Sequence, residues 1–176
     1  MEYRIIRSNR KTIAIEITPR GEVIVRCPLR MANRDIQKFL SARATWIQTH
    51  LASLPKVTPL SEKEHRALIR SAKDFFPERV RSFAESMNVT HGRITIRSQH
   101  SRWGSCSASG NLNFNCLLML CPEEVRDYVV IHELCHRRQL NHSSAFWAEV
   151  EAACPDFRLH RQWLKEHGAA LIARLP

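Results

Sequence analysis

Residues 129–142 read VVIHELCHRRQLNH: three histidines and one glutamate among aliphatic and basic side chains. His132 and His136 are four apart, so on a helix their rings lie one above the other, about 5–6 Å apart at Cβ. Two imidazoles so placed can ligate one small cation, with Zn–N distances of about 2.0–2.1 Å. Glu133 points beside such an ion, where it can hold and deprotonate a water, as the glutamate of H-E-x-x-H helices does. His142 follows His136 by six residues, just beyond the expected helix end at Asn141, where the chain can turn back. Catalytic zinc sites keep three protein ligands and one open position, and three histidines with a water make up that set. Glu149 shares a helical face with His142 and is the rival third ligand, or a carboxylate that orients one. The competing reading is a pair of core histidines with a surface His142. It needs two separate sets of hydrogen-bond partners and leaves Glu133 idle. Imidazole ligands also accept nickel, cobalt or copper.

The elements around this stretch must carry those rings inward. Val125, Val129, His132, His136 and Leu140 form one stripe of a helix expected over residues 122–140, opened by Pro122, Glu123 and Glu124 and closed by Arg137 and Arg138. Cys135 lies about 100° around from His136 and faces the core. Upstream, RITIRS and NLNFNC read as strands and SRWGSCSASG as the loop between them. Downstream, helices are expected over Ser144–Ala153 and residues 159–173, with Phe146 and Trp147 holding His142 by packing. Nearer the start, KTIAIEITPRGEVIVRCP predicts a β-hairpin: Ile13, Ile15 and Ile17 alternate with polar or small residues, Pro19-Arg20-Gly21 turns, and Val23 and Val25 return. Asn33 is the expected N-cap of a helix running through Ile36, Leu40, Ile47 and Leu54. Residues 55–59 connect, Ser61 and Glu64 form a capping box, and Pro77 ends or kinks the helix that follows before it resumes over 78–87. The class is α+β.

At 176 residues, 44% hydrophobic and 25% charged, the chain fits one globular domain. No apolar run reaches the roughly 18–20 residues of a membrane span. MEYRIIRSNRK has no signal-peptide core, which predicts a cytoplasmic protein with its six cysteines reduced. The net charge is +10, unevenly placed. Residues 1–88 hold 17 Lys/Arg against 9 Asp/Glu and residues 89–176 hold 10 against 8. Such a surface suits anionic partners, nucleotides and nucleic acid included, or serves solubility alone.

SRWGSCS, NLNFN, YVVIHELCH and NHSSAFW, in this order, resemble the YgjP-like branch of the zincin metallopeptidases, which is related to SprT-like and WLM-type proteases. NRKTIAIEI, GEVIVRCP and TWI resemble that family's N-terminal part, so the likeness covers nearly the whole chain. The resemblance implies a zincin-like fold, with an N-terminal β-hairpin or antiparallel sheet and an active-site helix bearing H-E-x-x-H. It implies one domain over 1–176, a hairpin-and-helix subregion at 1–55 and a catalytic part at 60–176. His132, His136 and His142 would be the ligands of one zinc ion and Glu133 the catalytic acid/base, with no departure at these positions. The SRWGSCS loop and the strand after it would lie beside the metal, NLNFNC being a peptide-pairing edge strand or its neighbour. Arg102 could stabilise a developing oxyanion or a phosphate across the cleft, or simply fix its loop. Trp103 reads as core packing.

The expected function is zinc-dependent hydrolysis of peptide bonds in a peptide or protein. One alternative keeps the metal and attacks a nucleoside triphosphate, as a pyrophosphatase or phosphohydrolase, with the basic N-terminal half on the polyphosphate. The chain's five glycines form no P-loop-like run to support it. A further alternative is a nucleic-acid-associated module whose metal is structural.

Overall fold

β3 (Val23–Pro28) is the most apolar strand of the N-terminal part, and it lies between its two neighbours in the order β1-β3-β2. β2 (Ala14–Ile17) pairs with it antiparallel, setting Ile15 opposite Val25 and Ile17 opposite Val23, so the expected alternation lies on one face. Gly21 turns this hairpin at a φ of 82°, and its amide donates to the Thr18 carbonyl. The expected Pro19 position of the turn lies outside the described residues. These are residues 2–18, 20–54 and 57–176 of a computed structural model.

β1 (Arg4–Ser8) pairs with β3 in parallel, a strand that sequence patterning did not single out. The expected long helix is two: α1 (Asn33–Ser41) and α2 (Ala44–Ser53). Ala32, not Asn33, is the N-cap residue of α1, because the Asn33 amide oxygen instead accepts from Arg7 Nη2 at 2.7 Å. Arg7 also donates to the Leu29 and Met31 carbonyls, and Arg26 pairs with Glu16 at 2.6 Å. Part of the N-terminal basic charge is thus employed within the fold. Val23, Val25, Cys27, Ile36, Leu40 and Ile47 form this part's own core.

The chain divides into two compact units, Met1–Val57 and Thr58–Pro176. Of the expected connector over residues 55–59, Pro55 and Lys56 lie outside the described residues.

The second unit begins at the expected capping box. Glu64 N–H donates to Ser61 Oγ at 3.3 Å, and Ser61 N–H donates to Glu64 Oε2 at 2.8 Å. α3 (Glu62–Ser86) then continues past Pro77 as one 25-residue helix, so the proline does not end it. Pro77 and Lys73, whose carbonyl it leaves without an intrahelical partner, are both exposed, while Ala72, Phe76, Val80 and Ala84 are buried along the opposite stripe. Packing of that stripe overrides the local break. Arg79 grips Asp127 through two hydrogen bonds, fastening α3 to α4 (Glu123–Cys135).

Three short strands complete this unit's sheet in the order β4-β6-β5: β4 (Ile94–Arg97), β5 (Gly104–Cys106) and β6 (Leu112–Asn115). β6 is therefore the middle strand, parallel to β4 and antiparallel to β5. NLNFNC is therefore the neighbour of the edge strand β5 and not the edge itself, and part of the expected SRWGSCSASG loop is strand. Phe76 of α3 stacks on Phe114 of β6, ring centres 4.6 Å apart, which seats the sheet on the helix. α5 (Ser144–Ala153) and α6 (Phe157–Ala173) close the chain. Among the described residues no helix is long and apolar enough to cross a membrane.

Candidate active site

α4 delivers His132 and Glu133 from its last turn and ends sooner than the apolar stripe suggested. Its C-cap is His136, still in right-handed helical conformation, and Leu140 is 74% exposed rather than part of the stripe. Arg137 and Arg138 do not merely face the helix dipole. Arg137 Nε donates to the Thr90 carbonyl at 2.8 Å and Arg138 Nη2 to the Met87 carbonyl at 2.6 Å, bolting the end of α4 to the segment that leaves α3.

The chain then doubles back. His142 stands immediately before Ser143, whose hydroxyl caps α5 by accepting from Phe146 N–H at 3.3 Å. This return brings the third imidazole to the other two. Ring centres lie 5.1 Å apart for His132 and His136, 5.0 Å for His132 and His142, and 4.8 Å for His136 and His142. One nitrogen from each ring falls within 4.8 Å of the others. Phe146, fully buried, touches all three rings, and Trp147 lies 5.7 Å from His142 in a near-parallel stack. His136 Nδ1 lies 2.9 Å from the Gln139 carbonyl; donating its proton there leaves Nε2 with its lone pair.

Burial disfavours protonation of His132 and, with the neighbouring His136, His142 and Arg161, pushes its pKa down to about 3. That ring is neutral and ready to ligate at any ordinary pH. Glu133 is 4% exposed, and burial pushes its carboxyl up to about 8, against the pull of Arg102. Glu133 Oε2 and His132 Nδ1 are buried without a hydrogen-bond partner.

Arg102 is exposed, and among the described residues no carboxylate pairs with its guanidinium. Glu149 lies outside the histidine group and faces Arg138, 3.9 Å from its Nη1. Cys135 is fully buried. Trp103 packs against Gly168 of α6, where any Cβ would lie 3.0 Å from the indole.

Two residues that matter here escaped sequence reasoning. Gly104 opens β5 and lies against Glu133: a Cβ on it would lie 2.5 Å from Oε1 and 2.8 Å from Cγ. β5 can pack this closely on α4 only because that position has no side chain. Asn115, 1% exposed, donates to the carbonyls of Gln99 at 2.7 Å and Arg102 at 3.1 Å and accepts from Leu117 N–H at 3.2 Å. One amide thus shapes the loop that holds Arg102. A glycine after Trp103 and an asparagine ending an apolar strand were the available signals.

No curated protein matches the sequence. Two solved structures are similar in part. The metallopeptidase zymogen of Pyrococcus abyssi abylysin is 22% identical, with a TM-score of 0.46 over 51% of this chain and 92% of that one. The metallopeptidase zymogen of Methanocaldococcus jannaschii jannalysin is 23% identical, with a TM-score of 0.42 over 49% of this chain and 93% of that one. The model of the YgjP-like metallopeptidase domain matches residues 11–68 and 59–167. With most of its length matched, the chain belongs to the YgjP-like metallopeptidase family and is a metal-dependent hydrolase.

Proposed function

We propose that the protein is a zinc metallopeptidase in which His132, His136 and His142 hold the ion and Glu133 moves the proton. The observation that carries this reading is the convergence of three imidazole nitrogens, together with a carboxylate on the residue next to His132 whose Oε2 is buried without a hydrogen-bond partner. The donor set fits the group. His132 Nε2 and His142 Nε2 are 3.0 Å apart, close to the roughly 3.3 Å separating two nitrogens bound tetrahedrally at about 2.0–2.1 Å. When bound, a zinc ion with one open position supplies Lewis acidity, lowering the pKa of a water and polarising a carbonyl.

The remaining work belongs to the chain's own residues. Glu133 accepts the proton of the attacking water and returns it to the leaving amine, and its burial keeps its basicity well above that of an exposed carboxylate. Arg102, whose charge already acts on Glu133, stabilises negative charge developing on the substrate carbonyl oxygen. β5, the sheet edge against α4, offers its free main-chain groups to an extended peptide. The family match runs across both compact units, which supports reading residues 1–176 as one functional domain. Six free thiols, most of them buried, suit a reducing cytoplasm.

Metal analysis paired with turnover of a quenched-fluorescent peptide library tests the reading. Wild type is expected to carry one ion per chain and to cleave. Glu133→Gln should keep the ion and lose about 10²–10⁴-fold in rate. His142→Ala should lose most of the metal. Normal turnover by Glu133→Gln overturns the proton-transfer role, and full metal retention by His142→Ala overturns the ligand set. Cleavage of nucleoside triphosphates with no peptide cut overturns the substrate class.

A further inference from the structure

Arg158, Arg161, Gln162 and Lys165 recur at helical spacing on α6 and line a cavity of about 520 Å³. Charged residues at such spacing usually form only a solvated face, but two features set these apart. The guanidiniums rest on aromatic rings: Arg161 Cζ sits 4.8 Å above the centre of Trp147, and Arg158 Cζ 4.9 Å above that of Phe157. Trp147 and Phe157 themselves stack at 5.4 Å and 19°, and Trp147 stacks on His142 at 5.7 Å and 30°. The aromatic ladder therefore runs from a metal-binding imidazole to the cationic face. The planar groups are held by their faces, which leaves the N–H edge of Arg161 for another molecule.

The charge is also incompletely neutralised. Arg158 pairs with Glu151 at 2.7 Å, and Gln162 donates to Glu166 at 2.7 Å. Among the described residues, neither Arg161 nor Lys165 has a carboxylate within ion-pair distance. The Arg161 charge is felt at both His132 and His142. Two ring contacts separate it from His142, a span of at most about 10 Å, which an extended peptide crosses in about three residues or fewer.

Building on the peptidase reading above, we infer that Arg161 and Lys165, with Arg158 at their border, form a subsite for an acidic side chain of the peptide. The enzyme then prefers substrates with a carboxylate within about three residues of the scissile bond, held by charge-assisted, partly bidentate hydrogen bonds. A dense polyanion is the poorer fit, because the flanking Glu151 and Glu166 would meet its further phosphates.

The test uses full-length, zinc-loaded protein and matched peptides that differ by Glu or Gln at single positions around the cut. Wild type should favour the Glu peptide in kcat/KM by about tenfold. Arg161→Gln should bring the ratio to near one, Arg161→Glu should invert it toward a Lys peptide, and Lys165→Glu should lower it, with metal content unchanged in all three. Binding of the labelled Glu peptide to the Glu133→Gln variant, read by anisotropy, should weaken by a similar factor when Arg161→Gln is added. Equal cleavage of both peptides by wild type overturns the subsite while leaving the peptidase intact. So does a preference indifferent to Arg161, or an oligonucleotide that binds this face in place of the Glu peptide. Peptides bound with Arg161-dependent charge preference but never cut would instead overturn the peptidase reading and keep the subsite.

Discussion

Gly104 shows how one atom can govern the carboxylate proposed to move the proton. A β-carbon there would collide with the Glu133 carboxylate and with its Cγ, so the whole acidic arm would have to swing in a buried space with little room. Gly104→Ala is expected to cut peptide turnover by about 100-fold, the usual cost of misplacing a reacting group by about 1 Å. Metal content should stay at the wild-type level, because the three atoms nearest that β-carbon all belong to Glu133 and none to an imidazole. Retained activity would show that Glu133 has freedom the packing does not suggest. At this scale the shared face of His132 and His136 was legible, because four-residue spacing fixes it whatever the tertiary structure, and His142 was read from a chain expected to turn back beyond the helix. Gly104 and Asn115 were not. Their importance comes from Glu133 and from the carbonyls of Gln99 and Arg102, partners that only the folded chain brings near.

α3 is the element in which a local rule and the packing disagree most plainly. A proline in a helix interior costs about 3 kcal/mol or more, yet α3 does not break at Pro77. Restoring the amide with Pro77→Ala should stabilise the protein by about 1–3 kcal/mol, part of the gain being offset by the freer unfolded chain. Chemical denaturation should show this as a higher midpoint at unchanged slope, and a lower midpoint would mean that the ring itself packs usefully. Other misread boundaries have similar origins. α1 and α2 part at Ala42 and Arg43, where no glycine or proline marks a break. Asn33 has a capper's chemistry, but Arg7, distant in sequence, claims its oxygen. RIIRS is short and flanked by arginines, so β1 is evident only once β3 lies beside it. Gly104–Cys106 reads as a turn until β6 supplies the hydrogen bonds. The capping box and the β2–β3 hairpin were legible because their partners lie within a few residues.

For the molecule as a whole, the distribution of its apolar side chains matters most. Two separate cores, one around Val25 and Ile36, the other around Phe76, Phe114 and Leu134, underlie the two compact units. All three imidazoles and Glu133 belong to the second. A fragment of residues 58–176 is therefore expected to unfold cooperatively and to bind one zinc ion, which a thermal melt and a metal titration would check. A fragment that melts without a transition would mean that the N-terminal core is required for the other to form. Patterning foretold an α+β chain and length a sizeable core, while residues 55–59 read as a connector between subregions at 1–55 and 60–176; the boundary between the compact units falls at Val57 and Thr58. The charge of +10 is a further property at this scale. If an acidic peptide is drawn by that field, its kcat/KM should fall as ionic strength rises, while that of an uncharged peptide changes little.

His142 stands one residue ahead of Ser143, the serine that caps α5. Ion capture, as proposed for His142, would therefore draw on the same few backbone torsions as helix initiation. Zinc should do more than arm the chemistry: it should clasp the 137–143 turn shut. Stripped by a chelator, the protein should become nickable by a protease within that turn, and amide exchange should quicken in the first turn of α5 before it does in α4.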